Sequence, residues 1–342
     1  RTVSTITDLG LPDIWVMDAK VQFIDDIKPL QDTQLTRVRG IEGVNWAVPL
    51  YKGLLKARLN NGNFQTCNVL GLDDATLIGG PPIMIQGQVA DLRRSEAIIV
   101  DEVGTKGKLA KKLPDCTSVP LKIGDTMELN DHRAIVVGIC RVTRTFQSQP
   151  VVYTTYSRAV RFAPQERKLL SFVLVGIKPG QEAKEVCKRI QRTTGLAART
   201  GAEFKWLTMK YFLRYTGIPI NIGIGVVMSF LVGTAIAGQT FFSFTLDNLR
   251  YFGALKAMGA SNRRLLGMIM LQAVVVGLIG YGIGVGAAAS VGRIFSRTEL
   301  AFLLLWQALA ITGGAVVIIC VIASVLSMRK VMKLEPAIVF KS

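Results

Sequence analysis

From Ile218 to Phe244 the chain reads IPINIGIGVVMSFLVGTAIAGQTFFSF, and shortly afterwards, from Leu249 to Asn262, it reads LRYFGALKAMGASN. The first stretch carries no ionisable side chain and exceeds the roughly 20 residues that a helix rising about 1.5 Å per residue needs to cross about 30 Å of hydrocarbon. The second is short, basic and amphipathic. Beyond it lie two more apolar runs of spanning length, Leu265 to Val291 and Leu300 to Ser327. The sequence therefore predicts three transmembrane helices in the last third of the chain, with the basic segment on the bend between the first two.

Lys and Arg close to the helix ends set the orientation, because basic residues beside a span are retained on the cytoplasmic side. The bend carries Arg250, Lys256, Arg263 and Arg264, and the tail, residues 328–342, carries Arg329, Lys330, Lys333 and Lys341. Both are placed in the cytoplasm. The link between the second and third spans has only Arg293 and Arg297 against Glu299 and suits the opposite side. Residues 1–214 are then extracytoplasmic. A domain of that size needs a route across the membrane, so we expect about 20 apolar residues before Arg1, making four spans with the large domain inserted after the first.

Composition agrees with this division. The 342 residues are 50% hydrophobic, with a mean hydropathy of +0.37, and the apolar content is concentrated in the last third. The net charge is +17; ten basic residues against three acidic ones from Gly217 onward account for +7, leaving +10 on the external part. Such a charge reads first as a solvated basic surface; a partner for it would be acidic lipid head groups or an acidic protein and not nucleic acid, since no basic run with interleaved aromatics is present. Of the five cysteines, Cys67, Cys116, Cys140 and Cys187 are external, where three pairings or free buried thiols are open, and Cys320 lies in a span.

The external part reads as α+β. Ile14–Val16, Ala47–Leu50, Leu54–Leu59, Gln65–Leu70 and Phe172–Ile177 have strand character, whereas Lys28–Arg39 and Gln181–Thr193 have helical periodicity, the latter with Ala183, Val186, Cys187 and Ile190 on one face. We expect residues 1–72 with 167–210 to form one subdomain. Residues 73–166, with strands at Ala97–Val100, Thr126–Leu129, Ala134–Ile139 and Val151–Thr154 and a turn at Leu121–Asp125, form a β-rich insertion. The predicted fold class is an α-helical membrane protein with a large α+β extracytoplasmic domain.

Catalytic chemistry finds no support. His132 is the sole histidine and sits beside Asp131 in a turn, without His or Cys at metal-ligand spacing and without GxSxG around any serine. Gly104, Gly107 and Lys108 in GTKGKL miss the GxxxxGK[ST] spacing, and Leu109 stands where a Mg-binding hydroxyl belongs, so the chain does not itself hydrolyse ATP. Gly280, Gly282, Gly284 and Gly286 in GYGIGVG lie inside an apolar span; their spacing makes a flat face for close helix packing, not a dinucleotide site. No acidic or basic residue lies in the core of the spans, apart from Asp247 and Arg293 near their ends, which argues against a secondary transporter. For Leu249–Asn262, a helix would place Phe252, Leu255, Met258 and Gly259 on one face with Arg250, Lys256, Arg263 and Arg264 beside it. That face suits either anionic lipid or a cytosolic motor, and the direct link to two spans favours the motor.

The run NLRYFGALKAMGASNRRLLGMIMLQAVVVGLIGYGIGVG resembles the permease of heterocyst-type glycolipid exporters (DevC-like) and, more broadly, the mechanotransmission ABC permeases that include the macrolide-exporter, lipoprotein-release and cell-division types. EAIIVDEVGTKGKL, LKIGDTMELNDHRAIVVGI and the tail RKVMKLEPAIVF extend the likeness over most of the chain. The resemblance implies a non-catalytic subunit that dimerises, binds no cofactor and docks a separate cytosolic ATPase holding ATP and Mg. Its coupling helix falls on Arg250, Gly253, Leu255, Lys256, Ala257, Met258, Gly259, Ala260 and Ser261. Much of the wider family has an acidic residue where Tyr251 stands. ATP-driven motion would pass through the spans to the periplasmic domain and drive export of a lipid or other hydrophobic cargo, with a periplasmic adaptor and an outer-membrane tunnel. The alternative is a signalling permease acting on a cell-wall hydrolase or a sensor kinase.

Overall fold

The computed structural model describes residues 3–10, 12–113, 117–143, 149–164, 170–296 and 305–332, with the backbone alone described at 218, 249, 295–296 and 326–332. The chain divides into two compact units, Arg1–Gly217 and Ile218–Ser342.

The first unit begins with α1 (Ser4–Asp8), β1 (Ile14–Met17), α2 (Thr33–Arg39), β2 (Val44–Arg58), β3 (Phe64–Leu72) and β4 (Ile83–Gln86). After a 3-10 turn at Val89–Arg93 come β5 (Ala97–Asp101), α3 (Glu102–Lys106), β6 (Lys111–Lys112), β7 (Ser118–Val119), β8 (Thr126–Leu129) and β9 (His132–Arg141). It ends with β10 (Val151–Thr155), α4 (Tyr156–Phe162), β11 (Phe172–Ile177), α5 (Ala183–Thr194), β12 (Ala197–Thr200) and α6 (Gly201–Tyr215).

One sheet runs β12-β1-β11-β2-β3-β10-β5-β9-β4, with β8 pairing both β2 and β9, while β6 and β7 pair separately. The 15-residue β2 joins the two halves: Leu50 faces Phe172 of β11, and from Tyr51 onward the strand pairs with β3 and then β8. Among the described residues, β3–β10 and β5–β9 are the parallel pairs. Gly53 does not divide β2 into two strands, as its position between apolar runs suggests. A Cβ there would stand 2.5 Å from the Tyr51 hydroxyl, so the glycine gives the Tyr51 ring room within a continuous strand.

Alternation of side chains sorts the core. Ile14 and Val16 point to the face covered by α2 and α5, where Val38, Val186, Cys187 and Ile190 meet Val173 and Val175. Trp15 points the other way, with its ring centroid 5.7 Å from Phe172 and 5.5 Å from Phe204 of α6. A third cluster, including Leu55, Val69, Ile98, Val136, Val152 and Phe162, fills the β-rich half. Each such side chain contributes about 1.5–3 kcal/mol by leaving water.

Several elements depart from the sequence reading. The helix expected over Lys28–Arg39 starts only at Thr33, because Pro29 disfavours helical backbone before it and Leu30 instead bridges to Leu170. Asn130 and Asp131, with φ of 48° and 65°, make the two-residue turn between β8 and β9, and His132 is already the first residue of β9. The segments β4, β12, α4 and α6 carry no counterpart in that reading.

The second unit comprises α7 (Ile218–Asp247), α8 (Leu249–Ala257), α9 (Asn262–Ser296) and α10 (Trp306–Met332). Its membrane-length apolar segments are Pro219–Asp247, Asn262–Ile294 and Trp306–Val325. Two threonine hydroxyls inside them are satisfied within their own helices: Thr234 donates to Phe230 O at 2.7 Å and Thr312 to Ala308 O at 2.8 Å. The Tyr281 hydroxyl donates to Leu309 O at 2.8 Å and ties α9 to α10. The close glycine approach is at Gly277, where a Cβ would lie 2.6 Å from Cys320 Sγ.

Candidate functional site: a capped bend between two spans

The helix α7 ends as Asn248 turns back, its Nδ2 donating to Phe244 O at 2.9 Å, and the N–H groups of Tyr251 and Phe252 bond to Asn248 O to open α8. Nine residues later the sequence A-M-G-A-S stops α8 and starts α9. Gly259 has φ +93°, a conformation that costs a side-chain-bearing residue about 1–2 kcal/mol. Across it, the Gly259 N–H donates to Lys256 O at 3.1 Å and the Ala260 N–H to Leu255 O at 3.0 Å, the two bonds of a Schellman cap. Ser261 follows as the N-cap of α9, with its backbone carbonyl accepting from Arg264 N at 3.0 Å and Leu265 N at 3.2 Å.

This geometry divides the residues that the sequence placed on one face. Phe252 is 7% exposed and packs with the fully buried Leu265 and Ile269 of α9, joined by Leu255, Ala260 and Leu266. Met258, at the cap, is 76% exposed, and Tyr251 is 71% exposed. Gly259, Ala257, Ser261 and Arg250 are exposed, while Gly253, Lys256 and Ala260 are half-buried. The expected common face divides because Met258 lies about 120° around the helix from Phe252, on the side of Tyr251, and Gly259 lies beyond the last helical residue, Ala257. Tyr251 and Ala254, three residues apart, form the open side of α8, with Met258 beyond them. Sequence reasoning named Tyr251 only for its departure from a family pattern; its exposure beside a buried Phe252 is the signal that identifies the open side.

The glycines Gly280, Gly282, Gly284 and Gly286 of α9 meet no atom within 4 Å of an added Cβ. Of these, Gly280 and Gly284 border an apolar cavity of about 610 Å³ within the helical unit, lined also by Phe241, Tyr281 and Thr312.

In the first unit, GTKGKL belongs to α3 and its exit. Asp101 caps that helix by accepting from Gly104 N at 2.9 Å and from Val151 N at 2.7 Å. Burial raises its carboxyl above the ordinary carboxylate value, against these two bonds. Lys122 N donates to Asp125 Oδ2 at 2.8 Å, closing the LKIGD turn. Cys67, Cys140 and Cys187 are buried free thiols, while Cys116 lies outside the described residues. Among the described residues no group of three or more His, Cys, Asp or Glu is placed to hold a metal.

Residues 223–336 match the FtsX-like permease C-terminal family. An uncharacterised ABC transporter permease of Mycobacterium tuberculosis is 25% identical over 98% of this chain and 86% of its own length. Another, from Mycobacterium bovis, is 30% identical over 70% of this chain and 61% of its own length. The periplasmic region of MacB from Actinobacillus actinomycetemcomitans overlays with a TM-score of 0.42 at 16% identity, covering 59% of this chain and 94% of that one. The chain is a multi-pass membrane protein with a large extracytoplasmic domain, similar over most of its length to ABC-transporter permeases, and its residues 223–336 match the FtsX-like permease C-terminal family.

Proposed function

We propose that α8 is the docking element for a cytosolic ABC ATPase and that its displacement moves α7 and α9 to drive the extracytoplasmic domain. The observation that carries this reading is the capped bend: α8 is anchored through Phe252 to Leu265 and Ile269 while Tyr251 and Met258 stay exposed. A helix tied to two spans by a Schellman cap and an N-cap transmits a push on its open side without unfolding. A helix lying passively on lipid needs no such rigid exit.

The spans lack mid-membrane charges, so the work suits a cargo taken up on the far side of the membrane rather than ions or polar solutes led between these helices. The resemblance to glycolipid-exporter permeases supports a lipid or other hydrophobic cargo, handed to a periplasmic adaptor and an outer-membrane tunnel. The open glycine face of α9 supports packing between two copies of the permease.

The test is pull-down of the ATPase by detergent-solubilised permease, with ATP turnover measured in vesicles. Met258→Asp abolishes both while leaving the permease inserted; Lys256→Ala, a charge at the rim, changes them little. Wild-type association and turnover in Met258→Asp overturn the docking role.

A further inference from the structure

The helix α6 is two-sided, and among the described residues nothing covers one of its sides. Phe204 and Thr208 are buried, and Tyr211 and Phe212 close on Phe23, whose ring stacks on Tyr211 at 4.2 Å and meets Phe212 edge-on at 5.6 Å. On the other side Trp206, Met209 and Leu213 are 57%, 46% and 56% exposed. At about 100° per residue these three share an arc of about 60°, over an axial length of about 10 Å. Three cations border that strip: Lys205 on one side, Lys210 and Arg214 on the other. Lys210 Nζ stands 5.0 Å over the Trp206 ring and the Arg214 guanidinium 5.9 Å from Tyr215. Among the described residues none of the three cations is ion-paired with a carboxylate.

The position of this strip in the chain identifies its occupant. Only Thr216 and Gly217 separate α6 from α7, whose membrane-length segment begins at Pro219. At no more than about 3.6 Å per residue, that link keeps the end of α6 within a short distance of the hydrocarbon boundary. Gly217, with φ +64°, follows the C-cap Thr216 and ends α6. An apolar strip with a tryptophan, edged by long basic side chains and held at the start of a span, has the chemistry of an element seated among phospholipid head groups.

We propose that the Trp206–Met209–Leu213 face of α6 lies in the outer leaflet, its apolar groups below the lipid phosphates and Lys205, Lys210 and Arg214 paired with them. The face holds the base of the extracytoplasmic domain on the membrane.

The test uses the whole chain in phosphatidylcholine vesicles with and without phosphatidylglycerol. The emission of wild type less that of Trp206→Phe isolates Trp206, and Phe keeps the apolar bulk at this exposed position. Lipids brominated high on the acyl chain quench that emission several-fold more than aqueous iodide does. Paired Lys210→Glu and Arg214→Glu substitutions reduce the lipid quenching in phosphatidylglycerol vesicles. Quenching mainly by iodide shows a face in water, and quenching by neither shows a face covered by protein, such as a second copy. Either result overturns the assignment.

Discussion

The Ala260 N–H reaches back across Gly259 to Leu255 O at 3.0 Å, and the same two residues touch the Phe252–Leu265–Ile269 cluster. One hydrogen bond and one apolar contact thus close the exit of α8 together, and both depend on the left-handed backbone at Gly259. Gly259→Ala introduces strain of about 1–2 kcal/mol there, although no atom lies within 4 Å of the added methyl group. The expected result is a lower melting temperature and weaker ATPase capture, with Gly259→Asn closer to wild type because Asn tolerates this conformation. Thermal unfolding in detergent and pull-down measure the two effects. Equal behaviour of Ala and Gly at 259 would show that the cap is not what fixes the bend.

Neighbouring aromatics in α8 are expected to act by opposite routes. Phe252→Ala leaves a cavity against Leu265 and Ile269 and is expected to destabilise the bend by up to about 3–5 kcal/mol. Tyr251→Ala removes an exposed ring, so it leaves stability within about 0.5 kcal/mol of wild type. If the open side of α8 meets the ATPase, Tyr251→Ala weakens capture about tenfold, which corresponds to about 1.4 kcal/mol. Melting curves paired with binding isotherms separate the variants. Loss of stability with intact capture in Tyr251→Ala contradicts the division of the helix.

What could be read from sequence followed from how local the signal was. Three spans were legible because apolar runs of that length have no role in a domain of this size outside a membrane. The bend was legible as a basic interruption, but not its inner and outer sides. Phe252, Leu255 and Met258 recur every three residues and so read as one stripe, although Phe252 and Met258 stand about 120° apart around the helix. In the external part, β1, β8, β10 and β11 stood out through short apolar patterns, whereas β2 was divided at Gly53, whose partner is the Tyr51 ring. The capping box in which Thr200 Oγ1 accepts from Glu203 N at 3.3 Å and Glu203 accepts from Thr200 N at 3.0 Å marks the start of α6. That helix is nevertheless obscured in sequence by apolar residues on both of its sides.

Buried thiols should be chemically silent. Burial pushes Cys67 and Cys140 up to about 12, with Asp101 adding to it, and burial likewise pushes Cys187 up to about 12. The thiolate is the reactive form, so near pH 8 only about one molecule in ten thousand presents it at each site. Raising the pH toward 12 favours the thiolate, which the unfolded chain reaches at much lower pH; these groups therefore lose stability for the fold as pH rises from the ordinary thiol value. Peptide mapping after iodoacetamide treatment is expected to find all three unmodified in native protein and modified in guanidinium. Modification of Cys67 in native protein at the denatured rate would mean that the β-rich core opens freely.

The glycines of α9 permit the sharpest separation between folding and assembly. A Cβ at Gly277 would meet Cys320 Sγ at 2.6 Å and Val316 Cγ1 at 3.3 Å, so Gly277→Leu forces α9 and α10 apart and lowers the stability of the helical unit. At Gly284 an added Cβ meets nothing within 4 Å among the described residues, and the position borders open space. Gly284→Leu is therefore expected to leave the unit folded, with gains from helix propensity of about 1 kcal/mol at most. If a second copy packs on the face of Gly280 and Gly284, the added side chain keeps the two helices apart and shifts the permease toward monomer in detergent, because close backbone approach is what small residues provide in a membrane. Light scattering of the purified protein, with melting temperature as the control, reads both effects. A folded Gly284→Leu variant with unchanged oligomeric mass rules out this face as the contact between copies.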